Sequence, residues 1–406
     1  MSGTTFELLD FVVRWVHVVA GIMWIGNSLL FNWLDRSLVS PTDARGEGAP
    51  LGTIWLLHSG GFYYVEKTML RGRSLPAPLH WFKWQAYTTW ITGAALLFVV
   101  YYLSDRAVLT DPSVAGIGHT TGLFVGAGAI VAGWALYEIL QRTIASRSAG
   151  VAAAIWLIGF IAISIALTRM LSGRAAFLHV GALLGTIMAG NVFFTIVPSQ
   201  HELVASVGSP RGADSAVSAR AKRVSIYNNY FTFPAIALMV SNHFPAIYGH
   251  RWNWLLLFVI VASGAAVRHV LNVRFAFPRW KLALVGTIFA SVGILVALLS
   301  ISSPRGASPA AVDASIASRT VTFEEARHII DRRCAACHSV EPSDLTFGAA
   351  PAGVMFDTPD QIIARAQRIR ERAVVTRTMP PGNKTHITLD ERAILARWIE
   401  LGAAAR

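Results

Sequence analysis

The chain has 406 residues, 54% of them apolar and only 14% charged, which excludes a soluble domain of ordinary composition and puts much of the protein in lipid. Its two cysteines exclude a disulfide framework and a four-cysteine zinc site, since neither can be assembled within one chain from such a pair. The formal net charge of +12 does not point to nucleic acid: acidic and basic residues nearly cancel from Thr322 to Arg406, so the excess lies in the apolar part, where it reads as a topology signal facing an anionic cytoplasmic leaflet.

A bilayer core needs about 20 apolar residues per helix. Eight segments meet that need, at roughly 11–33, 81–103, 117–141, 151–169, 176–197, 224–243, 252–272 and 280–301. The first is too long for a cleaved signal peptide and too poor in preceding positive charge, because Glu7 and Asp10 come before Arg14, so it reads as a permanent helix. Odd-numbered connections collect the cations: Arg36, Arg45, Lys67, Arg71 and Arg73, then Arg142 and Arg147, then Arg211, Arg220, Lys222 and Arg223, then Arg274 and Arg279. Even-numbered ones hold little beyond Arg106, Arg169, Arg174 and Arg251, which places both termini outside.

After the eighth span, "SSPRGASPAAVDASIAS" is rich in Ser, Ala and Pro and reads as a flexible tether over 302–321. Beyond it, Thr322 in "TFEEARHIIDRRCAACHSV" and Thr388 in "TLDERAILARWIELGA" stand as N-caps before acidic first turns, and Gly402 ends the second helix. The expected fold is all-α: a polytopic eight-helix transmembrane domain over 1–301, the tether, and a compact helical domain over 322–406 on the outer side.

Cys334, Cys337 and His338 follow the Cys-x-x-Cys-His pattern of c-type haem attachment. On a helix the thiols at i and i+3 share a face and can both add to the haem vinyl groups, while the next residue turns its imidazole to the iron. A redox dithiol and a zinc half-site compete for the same pair. The following His, the surrounding helix and the lack of other cysteines favour one covalent haem c. Met379 in "TRTMPPGNKT", held in a rigid Pro-rich segment before the terminal helix, is the expected sixth ligand, with Met355 and His386 as competitors. Here the chain resembles a class I cytochrome c, with Trp398 in the terminal helix.

Within the first span, "RWVHVVAGIMWIGNSLLFNW", Arg14 and His17 are ionisable residues at membrane depth, and Gly21 one turn on leaves room for a flat macrocycle. His17, His119, His179 and His243 fall near outer helix ends, and His58, His80, His201 and His269 near the inner side. A facing pair, His17 with His179, is the expected ligand set for a haem b beneath the C-terminal domain, with packing histidines as the alternative. The inner side places Glu66 and Lys67 after a Gly-Gly and an aromatic pair, and Asn228, Asn229, Tyr230 and Thr232 before Pro234. Two adjacent amides and a Lys suit a flat, anionic, hydrogen-bonding heterocycle, and an interfacial belt of aromatics and cations is the other reading.

"RWVHVVAGIMWIG", "GGFYYVEK", "HWFKWQAYTTWITG" and "NNYFTFP", followed by "CAACH" and "TMPPGN", resemble the bacterial membrane-bound urate oxidases, also called urate hydroxylases, over nearly the whole chain. The first-span pattern also resembles, more faintly, small haem-b membrane proteins of the protoporphyrinogen oxidase and copper-resistance type. The urate oxidase resemblance implies oxidation of urate to 5-hydroxyisourate in the bacterial inner membrane, with both termini periplasmic, the cytochrome rather than dioxygen taking the electrons, and no hydrogen peroxide released. On that footing Lys67 or another cation holds the substrate charge, Glu66 or a histidine takes the proton, and Asn228 and Asn229 read the ring edges. The electrons then pass to a soluble cytochrome or a terminal oxidase. A non-catalytic electron-transfer subunit and a quinone-linked dehydrogenase are the rival classes.

Overall fold

The computed structural model describes residues 3–40, 50–68, 70, 74–103, 109–112, 114–208, 214–301, 316, 319–344 and 349–404. The expected tether, 302–321, lies outside the described residues except for 316 and 319–321, as do the loop cations Arg45, Arg71, Arg73, Arg106 and Arg211.

In chain order, α1 (Gly3–Ser37) leads into strands β1 (Gly52–His58) and β2 (Gly61–Lys67), then α2 (Trp84–Leu97), which widens into a π-turn at Phe98–Tyr102. Next come α3 (His119–Thr143), α4 (Ala149–Met170) and α5 (Gly173–Asn191), the last joined through a π-turn at Val192–Ile196 to α6 (Val197–Ala205). The body ends with α7 (Ser215–Ser241), the short α8 (Pro245–Tyr248), α9 (Asn253–Val273) and α10 (Trp280–Ile301). Among the described residues, six helices are long and apolar enough to cross a membrane: α1 from Leu8, α3, α4, the run from α5 through α6, α9 and α10. The expected spans at 81–103 and 224–243 fall on α2 and α7, which lie outside those six. The regular part of α2 is only 14 residues long, and α7 opens with Arg220, Lys222 and Arg223 and carries Asn228 and Asn229.

The body is organised around α5, whose Phe177, Val180, Leu183, Leu184 and Ile187 are fully buried. The reason is compositional. Its sequence, GRAAFLHVGALLGTIMAGN, interleaves small residues with large ones, so neighbouring helices approach closely and pack by van der Waals contact. Pro234 breaks the ladder of α7, and α9 gives way at that level: a Cβ on Gly264 would stand 2.8 Å from the Pro234 nitrogen.

The all-helical expectation needs one correction. Gly52–His58 and Gly61–Lys67 form an antiparallel hairpin whose register runs from Gly52 opposite Lys67 to His58 opposite Gly61. Ser59 and Gly60 both take positive φ, as a two-residue turn of matching twist requires, and the flanking Ile54, Trp55, Tyr63, Tyr64 and Val65 are strand formers.

The C-terminal unit begins at α11 (Phe323–Arg333) and continues through α12 (Pro359–Ala364) and α13 (Ala366–Ile369) to α14 (Leu389–Glu400). Thr322, Thr358 and Thr388 each close a capping box, with Glu325, Gln361 and Glu391 respectively, satisfying two orphan N–H groups per helix start. Trp398 packs against Phe323 with ring centroids 5.7 Å apart, in a core shared with Ile330, Ile362 and Leu395. This unit rests against the ends of the body helices. A Cβ on Gly249 would be 3.0 Å from the Thr376 carbonyl, and Asp111 shares a cavity of 290 Å³ with Arg377, His386 and Arg392.

Candidate functional site

Cys334 ends α11, its N–H bonding the Ile330 carbonyl at 2.8 Å. The chain then turns back on itself, with the N–H groups of Cys337 and His338 both donating to the Cys334 carbonyl, at 3.1 and 3.0 Å. Both thiols are free. Burial pushes the Cys334 thiol up to about 12, and burial together with the Asp344 carboxylate pushes Cys337 to about 11, so both are protonated at neutral pH. His338 lies against Phe356, its Nδ1 2.9 Å from the Val354 carbonyl. A carbonyl only accepts, so Nδ1 carries the proton and Nε2 keeps its lone pair, while burial holds the ring's pKa down and neutral.

Met379 is half-buried and is fixed through its backbone: its N–H donates to the Arg372 carbonyl at 3.0 Å, and its carbonyl accepts from Arg392 Nη1 at 2.9 Å. Arg392, buried on α14, also donates to the Ala373 carbonyl and, at 3.2 Å, to Asn383 Oδ1. Arg333, next to Cys334, makes a fork with Glu391 at 3.0 and 3.1 Å and donates to the Thr385 carbonyl at 2.6 Å. The first and last helices thereby pin the cysteine turn and the methionine segment to one frame. Two thiols, an imidazole whose Nε2 has no partner among the described residues and a half-buried thioether form a donor set that fits a covalently attached haem. Of the competitors, Met355 follows the carbonyl that orients His338, and His386 lines the cavity beside Arg377 and Arg392.

Glu391 supplies a pH dependence. Burial pushes its pKa up, but hydrogen bonds from Arg333 and the Thr388 N–H, with the charges of Arg333 and Arg332, outweigh this and hold it below the ordinary value. A depressed carboxylate contributes stability that is present above its unfolded pKa, near 4.3 for Glu, and that is lost as pH falls through the folded value. Glu391→Gln is therefore expected to lower the thermal midpoint at pH 7, read by circular dichroism, with the gap from wild type closing as pH falls below about 4.

In the body, His17 Nδ1 sits 2.9 Å from the Thr89 carbonyl and 3.2 Å from Thr92 Oγ1, leaving Nε2 uncommitted among the described residues. Its ring fills the notch at Gly93, where a Cβ would stand 2.9 Å away. His179 is fully buried and uses both nitrogens, Nδ1 with the Ala175 carbonyl at 2.7 Å and Nε2 with the Tyr102 hydroxyl at 2.9 Å. His17 thus fits a haem b ligand. His179 fits one only by giving up Tyr102, and the pair as it stands is two separately packed histidines.

The expected inner-side residues divide into two settings. Glu66 and Lys67 end the exposed hairpin, and Lys67 pairs with Asp35 at 2.6 Å. Asn228 and Asn229 are buried on α7 and face different neighbours. Asn228 donates to the Met188 carbonyl at 2.9 Å and accepts from Asn191, which also reaches the Tyr137 hydroxyl at 3.0 Å. Asn229 Oδ1 accepts from Arg268 Nε at 2.9 Å and from Asn272 Nδ2 at 2.7 Å, both on α9. Arg36, at the end of α1, donates to the Asn272 carbonyl at 2.8 Å. Sequence reasoning passed over Arg268 and Asn272, although an arginine inside an expected span, with an amide four residues on, was the available signal.

The family model described as urate oxidase N-terminal matches residues 3–300. No curated protein and no solved structure matches the chain.

Proposed function

The chain belongs to the urate oxidase N-terminal family, and from that premise we propose that it is a membrane-bound, cytochrome-linked urate oxidase. Urate and water give 5-hydroxyisourate, two protons and two electrons. The oxygen of water bonds to the ring carbon that becomes hydroxylated, and the electrons leave singly. The observation that carries this reading is the union, in one chain, of a body from a urate oxidase family with a Cys-x-x-Cys-His turn whose imidazole is oriented through Nδ1 by the Val354 carbonyl.

Cys334 and Cys337 would hold a haem c through thioether bonds, with His338 and Met379 as iron ligands. When bound, that haem supplies a one-electron acceptor. Val354 orients His338, and Arg392 holds the Met379 segment from the opposite side. His17 is the residue proposed for a second, b-type haem. In the body, Asn229 and Asn228 read the substrate's edges, while Glu66 and Lys67, on the exposed hairpin, act at the entrance. The membrane topology proposed is eight crossings, the six apolar helices together with α2 and α7, with both termini and the cytochrome domain in the periplasm. That side agrees with the contact of the C-terminal unit with Gly249 and Asp111, since both lie in the cation-poor connections. A soluble cytochrome or a terminal oxidase collects the electrons.

An anaerobic urate titration of the purified, fully oxidised protein tests the proposal. Reduction of the c-type band by urate supports it, and a b-type band reduced alongside reports the second haem. If dithionite reduces the bands and urate does not, the urate reading fails and quinols become the donors to try.

A further inference from the structure

Arg268 is 5% exposed, fifteen residues after Asn253 in α9, and no carboxylate pairs with it among the described residues. Its Nε is held by Asn229, which Asn272 also fixes, and its guanidinium lies over the Phe233 ring at 5.5 Å. No hydrogen bond from its two Nη groups forms among the described residues. Arg36, exposed at the end of α1, reaches the same part of α9 through the Asn272 carbonyl. The Tyr230 hydroxyl is taken up by His269 Nδ1 at 2.8 Å. Asn272 Oδ1 is buried without a partner among the described residues.

A buried guanidinium with no carboxylate beside it among the described residues is costly unless an anion completes the arrangement. A guanidinium's two Nη groups match two acceptors of a planar anion, and the buried Asn272 Oδ1 matches a ring N–H. We propose that Arg268, positioned by Asn229 and flanked by Asn272, is the residue that binds the urate anion at the inner end of the bundle. This rests on the urate reading above and names its substrate site. An anionic lipid headgroup offers the same oxygen acceptors, but its phosphate offers no N–H to Asn272. Arg268 lies about 22 Å along α9 from that helix's outer end, so a substrate held there sends its electrons across the body and requires a relay within it.

The test uses the full-length holoprotein in nanodiscs of purely zwitterionic lipid and, separately, with anionic lipid added. Urate binding to the oxidised protein and steady-state turnover are measured for wild type, Arg268→Gln and Arg268→Lys. The expected result is a KM and a Kd for urate raised about 10²-fold in Arg268→Gln, with kcat changed far less and Arg268→Lys in between, equally in both lipids. Unchanged urate affinity in the variants while wild type turns over overturns the site and leaves the functional reading standing. A defect confined to anionic nanodiscs assigns Arg268 to lipid and also overturns it. Should Arg268→Gln fail to assemble, the charge-conserving Arg268→Lys decides alone. Wild type that neither binds nor oxidises urate removes the functional reading and the site together.

Discussion

Replacing Cys334 and Cys337 together by Ser is expected to abolish urate-dependent electron release, with turnover falling to background. The thiols are the only groups in the chain able to form thioether links. The frame around them does not depend on that chemistry. Arg333 still bridges to Glu391 and to the Thr385 carbonyl, and Arg392 still holds the Met379 segment. The domain therefore keeps its fold while losing covalent haem, which a haem stain of the denatured protein reads directly. His338→Ala separates attachment from ligation, because it is expected to keep the stain while removing the imidazole proposed to hold the iron. Wild-type urate oxidation in the double variant would mean that electrons leave by another route, and the role given to the C-terminal unit would fall.

Sequence reasoning reads best where the chemistry is local. Cys334, Cys337 and His338 stand within one turn, so their spacing alone carries the haem reading, and Thr322 and Thr388 announce their helices through residues three positions away. The third capping box, Thr358 with Gln361, rests on a signal of the same kind that was passed over. The hairpin at Gly52–Lys67 went unread because its aromatic strands, taken as a polar inner loop, resemble an interfacial belt when their pairing partner is unknown. Longer-range groupings were less legible still. Asn229 was legible as a polar residue in a span, but Arg268 and Asn272 meet it only because α7 packs on α9, 39 and 43 residues on. The same holds for His17 and His179. Their depth could be sorted from sequence, whereas the Thr89 carbonyl and the Tyr102 hydroxyl that occupy them come from other helices.

Gly249→Val is expected to slow turnover by about 10²-fold with the KM for urate unchanged, because a small misplacement of reacting partners has that order of effect. The backbone at Gly249 has φ near −82°, which a valine accepts. The space does not: its Cβ would stand 2.7 Å from the Pro245 carbonyl, 3.0 Å from the Thr376 carbonyl and 3.0 Å from Thr378 Cγ2. Thr378 precedes Met379, so the strain falls on the segment that carries the proposed iron ligand and on the contact between the two parts of the chain. Gly249 follows α8 and precedes α9, at the end of α9 remote from Arg268, so urate binding is untouched. Stopped-flow reduction by urate, followed at the proposed c-type band, reads the step, and dithionite-reduced spectra separate a changed Met379 ligation from a slowed transfer across the contact. An unaltered rate would show that electrons do not pass across this contact.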